Sequence, residues 1–240
     1  IVASRKKLHT LQRHQEMKMK KLGAALLTTL LVAAPLAQAK LSVNVGLINV
    51  NPSDTASALD QDKGAGLVAD SNTQLGITFD YQYTDNIVFE LIAATPFSHD
   101  VSGAGNLAGV GAIGGVHLAS VKHLPPTFVA QYHFLEPNAK FRPFIGAGLN
   151  YTVFFDEEAS STLKTVLGTQ DVKVDLDSSF GVALQAGFNY NIDEKWGVHG
   201  MVSKIDINTD ASVYANSTKV LTSDVELDPV VAMLGVKYKF

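Results

Sequence analysis

The last eleven residues, Val230-Val231-Ala232-Met233-Leu234-Gly235-Val236-Lys237-Tyr238-Lys239-Phe240, read as one strand with two unlike faces. Successive side chains of an extended chain point to opposite sides. Val230, Ala232, Leu234, Val236, Tyr238 and Phe240 therefore share one face, and Val231, Met233, Gly235, Lys237 and Lys239 the other. One side is apolar to the final residue.

The same parity recurs upstream. Leu75, Ile77, Phe79, Tyr81 and Tyr83 alternate with Gln74, Gly76, Thr78, Asp80 and Gln82; Ile87, Phe89, Leu91 and Ala93 alternate with Val88, Glu90, Ile92 and Ala94. Phe128, Ala130, Tyr132 and Phe134 oppose Thr127, Val129, Gln131 and His133. Residues 141–153 and 180–190 repeat the pattern, and 41–50 with 196–208 bring the count to eight strands. The apolar sets are large and aromatic-ended, whereas the opposite sets mix Gly, Ala, Asn, Gln and single charges. A water-facing exterior would carry more Lys and Glu. The small, polar set instead suits the crowded lumen of a narrow closed barrel with lipid outside. Closure also pairs every backbone N–H and C=O, as hydrocarbon demands.

The connections sort in the same sense. Short turns fall at 84–86, 135–140 and 192–195, on the same side as both ends of the mature chain. Tyr81, Tyr83, Tyr132, Phe134, Phe141, Tyr190, Trp196, Tyr238 and Phe240 lie beside them, as an interfacial aromatic girdle would. Longer connections near 51–72, 98–123, 156–176 and 209–225 fall on the opposite side. This predicts an all-β fold: an eight-stranded antiparallel transmembrane β-barrel with short periplasmic turns and four longer extracellular loops.

Composition agrees. The chain has 240 residues, 46% of them hydrophobic and 18% charged, and no cysteine, which excludes disulfide scaffolds and thiolate chemistry. Residues 1–39 hold seven basic residues and one acid, leaving 12 basic and 22 acidic in 40–240, so the body offers nucleic acid no basic footprint. Lys18, Lys20 and Lys21 precede an apolar run over 22–36 and then Ala37-Gln38-Ala39, the layout of a secretory signal. Residues 17–39 are expected to be a cleaved signal peptide, 1–16 an upstream extension outside the fold, and 40–240 the barrel.

The sequence resembles the outer membrane protein W (OmpW) family through 72–79, Asp85-Asn86-Ile87, 90–97, His123-Leu124-Pro125-Pro126-Thr127, 140–151 and Leu227-Asp228-Pro229 with the strand that follows. The resemblance runs from about residue 40 to the C-terminus. Its divergent parts are the first and fourth long loops and the upper seventh strand, where Lys204 and Asp206 break the lipid-face parity and a bulge could re-phase the chain. The resemblance implies an outer-membrane barrel that passes small hydrophobic compounds, with an apolar pocket open to the outside and a plugged periplasmic end. It also implies outer-membrane lipid and lipopolysaccharide as surroundings, a small hydrophobic solute as ligand, and barrel-assembly machinery engaging the strand that ends at Phe240.

Parity places the chemistry. Asp80, Glu90, Arg142, Lys237 and Lys239 face the lumen toward the short turns, with His133 and Gln185 as neighbours. In a narrow interior such charges must pair, so a salt-bridged polar plug around Arg142 and Glu90 is expected. Ile48, Ile92, Val129, Phe154, Met201, Ile205, Val231 and Met233 face inward toward the long loops and predict an apolar funnel above that plug. A greasy molecule would find no straight axial exit there; sideways escape is easier where Pro96, Pro125, Pro126 or Pro229 interrupts the hydrogen-bond ladder. The alternative reading is a structural or adhesive barrel with a closed lumen.

Other patterns carry less. Gly109-Val110-Gly111-Ala112-Ile113-Gly114 fits G-x-G-x-x-G, but no strand–helix unit surrounds it, so it reads as loop. Asp156, Glu157, Glu158, Asp171, Asp175 and Asp177 could gather Ca²⁺ or Mg²⁺ among lipopolysaccharide phosphates, though such charges more often solvate a loop. His99, Asp100, His117, Ser120 and His123 could meet in the second loop as an esterase-like set, but no fixed spacing supports it. No enzyme activity, cofactor or metal is expected.

Overall fold

The computed structural model describes residues 40–53, 57–60 and 62–240; the expected signal segment and upstream extension lie outside the described residues. The strands are β1 (Leu41–Asn51), β2 (Ser57–Ala58), β3 (Ala65–Ala69), β4 (Asn72–Gln82), β5 (Ile87–Ala94), β6 (Phe97–Leu107), β7 (Gly111–Ala112) and β8 (His117–Leu124). They continue as β9 (Thr127–His133), β10 (Phe141–Ala159), β11 (Val172–Leu176), β12 (Ser179–Asn191), β13 (Trp196–Ile205), β14 (Asn208–Ala215), β15 (Thr218–Glu226) and β16 (Val230–Lys239). One short helix, α1 (Ser161–Val166), follows β10.

Eight strands close on themselves in the order β1, β4, β5, β9, β10, β12, β13, β16, every pair antiparallel. The first and last strands pair from Ser42↔Lys239 to Asn51↔Val230, so the chain ends seal the wall. No edge remains in this ring, which meets the backbone requirement of hydrocarbon.

Side-chain orientation follows the alternation. Leu184 on the outer face is 64% exposed and Val129 on the inner face 0%. Phe128, Leu149 and Leu234 are likewise exposed, so the large apolar face points away from the barrel axis. The girdle aromatics cluster beside the short turns: Tyr132 meets Phe134 edge-on at 5.2 Å, and Trp196 meets Tyr238 at 4.8 Å. The turn after β12 is held by Asp193, whose Oδ1 accepts from the amides of Lys195 (2.8 Å) and Trp196 (2.7 Å).

The long connections differ from the loops expected. β10 does not end near Val153; it bends at a bulge between Phe155 and Glu158, with Asp156 at φ 51°, and continues above the barrel. There it pairs with β8, which pairs with β6, then β3 and β2. A separate sheet, β11–β14–β15, stands beside these. Ser57 Oγ accepts from Glu226 N and Ser223 Oγ donates to Ala58 O, joining the two sheets across β2 and β15. The result is a folded crown. Its outer face carries Lys122 paired with Asp156 at 3.2 Å and Lys173 paired with Asp175 at 2.8 Å, which places it in water above the hydrocarbon.

The seventh barrel strand needs no re-phasing. β13 keeps one register with both neighbours, Lys204 and Asp206 are exposed, and Ile205 and Ile207 are buried. Lys204 and Asp206 sit at the upper end of the outer face, where Lys204 Nζ donates to the carbonyl of Asp228. Polarity changes there because the bilayer ends, not because the chain slips.

Candidate functional site

The lower lumen is filled by a polar network. Lys237 forms an ion pair with Asp80 inside the barrel, and both are buried. Asp80 also accepts from Asn44 Nδ2 at 3.0 and 3.1 Å and from Ser42 Oγ at 3.3 Å, so each carboxylate oxygen has a donor. Glu90 sits one strand further round: its Oε2 accepts from Gln131 Nε2 at 2.7 Å and from Gln185 Nε2 at 2.8 Å. His133 Nε2 contacts Gln131 Oε1 at 2.7 Å and stacks on Phe144 at 4.8 Å, and Phe144 stacks on His199 at 5.6 Å.

Two features of this plug depart from the expected pairing. Arg142 does not reach Glu90; its guanidinium donates to the carbonyl of Asp85 in the first short turn. Lys239, half-buried, belongs to the same lower end, its strand neighbour across β1 being Ser42. The ion pair is thus Lys237–Asp80, and Glu90 is held by amides. Ser42, Asn44, Thr78, Asn189 and His199 also belong to the network, although the expected set omitted them. Parity counted forward along β13 from Trp196 would have found His199.

Above the plug lies an apolar layer. Ile48, Ile92, Val129, Phe154, Met201, Ile205, Val231 and Met233 are all buried and pack in one cluster with Val50, Phe97, Phe144 and Ile207. Ile48 leans into the space left by Gly76, where a Cβ would stand 2.8 Å from its Cγ2. Of the eight residues expected to form the funnel, Ile48, Ile92, Ile205 and Val231 border a small void of about 20 Å³, while Phe154 reaches the larger space above. The layer is therefore mostly packed, not hollow.

The larger space lies inside the crown. It is an apolar cavity of about 360 Å³ between the β2–β3–β6–β8 sheet and the β11–β14–β15 sheet. Val101, Val121, Val174 and Val213 are among its walls, and the exposed Val110 and Val166 stand at its rim. Its floor includes Val50, Ile207, Phe154 and two histidines, His99 and His123. Residue parity placed the apolar space lower, in the barrel, because the crown strands lack strict alternation and resemble loop sequence. At the crown's edge Asp210 shares a hydrogen bond with Asp224, its partner across β14–β15, which raises the Asp210 carboxyl above its ordinary value.

Between cavity and bilayer the wall has a seam. β5 pairs with β9 only as far as Ile92↔Thr127, and pairing resumes at Phe97↔His123 between β6 and β8. Pro96, Pro125 and Pro126 fall in that gap and supply no amide donors. Asn150 Nδ2 donates to the carbonyls of Pro125 (3.2 Å) and Pro126 (3.4 Å), and Thr127 Oγ1 to that of Pro125 (3.0 Å). The small void touches Pro125 and Ala94. At Pro229, by contrast, the carbonyl accepts from Ile205 N at 3.1 Å and the β13–β16 wall stays paired to Lys204↔Val230.

The weaker motifs resolve as follows. Gly109–Gly114 forms the turn around β7, with Ile113 packed into the crown. Asp100, His117 and Ser120 do meet, but Ser120 Oγ donates to Asp100 at 2.8 Å, and the same His117 Nε2 faces both partners at 3.1 and 3.5 Å. A triad needs the acid on the far imidazole nitrogen, so this is a surface polar cluster. Among the described residues no three His, Asp or Glu side chains group closely enough to hold a metal ion.

Residues 37–240 match the OmpW family. The chain is 44% identical to outer membrane protein W of Vibrio cholerae over 82% of its own length and 87% of that protein, and 40% identical to the Escherichia coli protein over 92% and 100%. Its fold matches the crystal structure of OprG from Pseudomonas aeruginosa with a TM-score of 0.74 and 36% identity, covering 85% of this chain and 97% of that one. With a closed eight-stranded wall, a lipid-facing apolar exterior and these relatives, the chain belongs to the OmpW family of outer-membrane β-barrel proteins.

Proposed function

We propose that this barrel takes up small hydrophobic molecules from outside the cell, holds them in the crown cavity and releases them sideways into the membrane. The observation that carries this reading is the apolar cavity of about 360 Å³ standing directly over a packed, polar lower barrel. An apolar solute gains roughly 25 cal/mol per Å² on leaving water for such walls. Downward passage would strip it through the Lys237–Asp80 and Glu90 network, whose groups would lose their partners at a cost of about 1–3 kcal/mol each. The seam at Pro96 and Pro125–Pro126 is the cheaper way out, since no ladder bond must break there.

Uptake of an apolar fluorescent solute by vesicles carrying the protein tests this. Val121→Arg in the cavity wall should abolish protein-dependent uptake, and Pro125→Ala with Pro126→Ala, which restores two amide donors at the seam, should slow it several-fold. Uptake unchanged in both variants would overturn the reading and favour a structural or adhesive barrel.

A further inference from the structure

The two sheets of the crown meet along two lines that are built differently. On one, β2 and β15 are laced together. The amide of Asp60 donates to the carbonyl of Thr222 at 3.0 Å, Thr222 Oγ1 donates to Asp60 Oδ2 at 2.8 Å, and Leu59 bridges Ser223, beside the Ser57 and Ser223 contacts described above. On the other, the upper end of β10 runs next to β11, but among the described residues no strand pairing joins them: β10 pairs there with β8, and β11 with β14. The carboxylate of Glu157 accepts from the amide of Leu176 across this second line. Residues 160–171 span it as a strap. At one end Ser160 N donates to the carbonyl of Leu118 at 2.9 Å and Ser160 Oγ to that of His117 at 2.8 Å. At the other, Thr169 Oγ1 donates to Asn216 Oδ1 at 2.8 Å, and Asn216 N to the carbonyl of Asp171 at 2.9 Å.

Between those anchors the hydrogen bonds of α1 stay within the strap: Leu163 N donates to Ser160 Oγ, Leu167 N to Leu163 O and Gly168 N to Thr165 O. Its hold on the body is apolar, through Leu163, buried with Ala119 and Val174, and through Leu167. A helix of six residues has little stability of its own, so those contacts keep it in place. Leu163, Val166 and Leu167 also line the cavity. Lifting α1 between its anchors therefore breaks no hydrogen bond to the body. In water it would bare apolar wall, but an apolar solute replaces the leucine contacts with its own. The other exposed residue at the rim, Val110, stands on a turn that is pinned: Ala108 N donates to Asp62 Oδ2 at 2.6 Å and Asn106 N to the carbonyl of Gly64 at 2.9 Å. We propose that apolar solutes enter the crown cavity at the β10–β11 line by displacing α1, while the laced β2–β15 line stays shut. The proposal rests on the reading of the cavity as a solute site and adds the way in.

The chain has no cysteine, so introduced thiols report alone. Leu163→Cys on α1 and Leu59→Cys at the laced line place a thiol at two similarly buried positions of the cavity wall, 6% and 5% exposed. In lipid nanodiscs, 2-(trimethylammonium)ethyl methanethiosulfonate should react at position 163 about tenfold or more faster than at 59, because opening the laced line must also break hydrogen bonds worth about five- to tenfold each. Ala119→Cys with Leu163→Cys ties α1 to β8. In vesicles, this oxidised double variant should take up N-phenyl-1-naphthylamine several-fold more slowly than its reduced form, with dithiothreitol restoring the rate. The comparison of positions 163 and 59 decides the matter where that disulfide does not form. Equal labelling rates, or uptake unaltered by the closed disulfide, would overturn the entry route while leaving the cavity a solute site. If the unaltered protein takes up no dye, the solute site itself falls, and the proposal with it.

Discussion

Nε2 of His199 faces Oε1 of Glu90 across 3.6 Å at the centre of the plug, and neither atom has a hydrogen-bond partner among the described residues. His199 Nδ1 lies 3.0 Å from Asn189 Oδ1 and therefore carries a proton. One further proton between His199 and Glu90 satisfies both, whichever of them carries it. Glu90→Gln supplies that hydrogen from its amide while its carbonyl still accepts from Gln131 and Gln185. It should change unfolding free energy by less than about 1 kcal/mol, whereas Glu90→Ala, which strands three buried polar groups, should cost about 3 kcal/mol or more. Urea unfolding in vesicles separates the two.

The Lys237–Asp80 pair should show the asymmetry of buried ions. Removing one partner in Lys237→Met leaves a carboxylate in the lumen and should cost about 3–5 kcal/mol, while the double change with Asp80→Asn should recover most of it. A double-mutant cycle in the same assay reads the coupling. Additive losses would mean that the two charges do not act as a pair.

The wall where β16, β1 and β4 meet is built from Gly235, Gly46 and Gly76 in register. A Cβ on Gly46 would stand 2.1 Å from the carbonyl oxygen of Leu234, so the backbones there approach more closely than any side chain allows. Gly46→Ala should destabilise the barrel by about 1–3 kcal/mol. Gly114→Ala, with open space around it, should be neutral in the same measurement.

Asp193 links a periplasmic turn to pH. Its hydrogen bonds from the amides of Trp196 and Lys195 hold the carboxyl below its ordinary value. A carboxyl depressed in the folded state stabilises above its unfolded value, about 3.9, and the contribution is lost as pH falls through the folded value. Asp193→Asn should therefore lower stability at neutral pH and flatten its dependence on pH below about 4, so that the variant and the parent protein converge in acid.

Most of the barrel is legible in the sequence because strand parity is strict. Once Leu184 and Leu234 are put outside, Gln185 and Met233 can only go inside. Parity tells the side and not the height, which is why Arg142 was expected beside Glu90 and instead reaches the carbonyl of Asp85, nearer the turn. It also fails where a strand shows no strict alternation. Val101, Val121, Val174 and Val213 sit in segments of mixed polarity, and only their assembly into two facing sheets shows that they enclose a cavity. The sequence shows His99 and His123 only as polar residues of one loop; that their Nε2 atoms meet, with the carbonyl of Asp70, 29 residues from His99, on the other side of the His99 ring, is a contact no spacing reveals.

The orientation of the large apolar face underlies all of this and can be read by fluorescence quenching. In a Trp196→Phe background, a single tryptophan is placed at Leu184 on the outer face or at Phe144 in the lumen, in vesicles whose lipid chains are brominated. Strong quenching at position 184 and little at 144 is expected, since one faces the chains and the other is stacked between His133 and His199. Strong quenching at 144 with none at 184 would turn the barrel inside out and contradict the account.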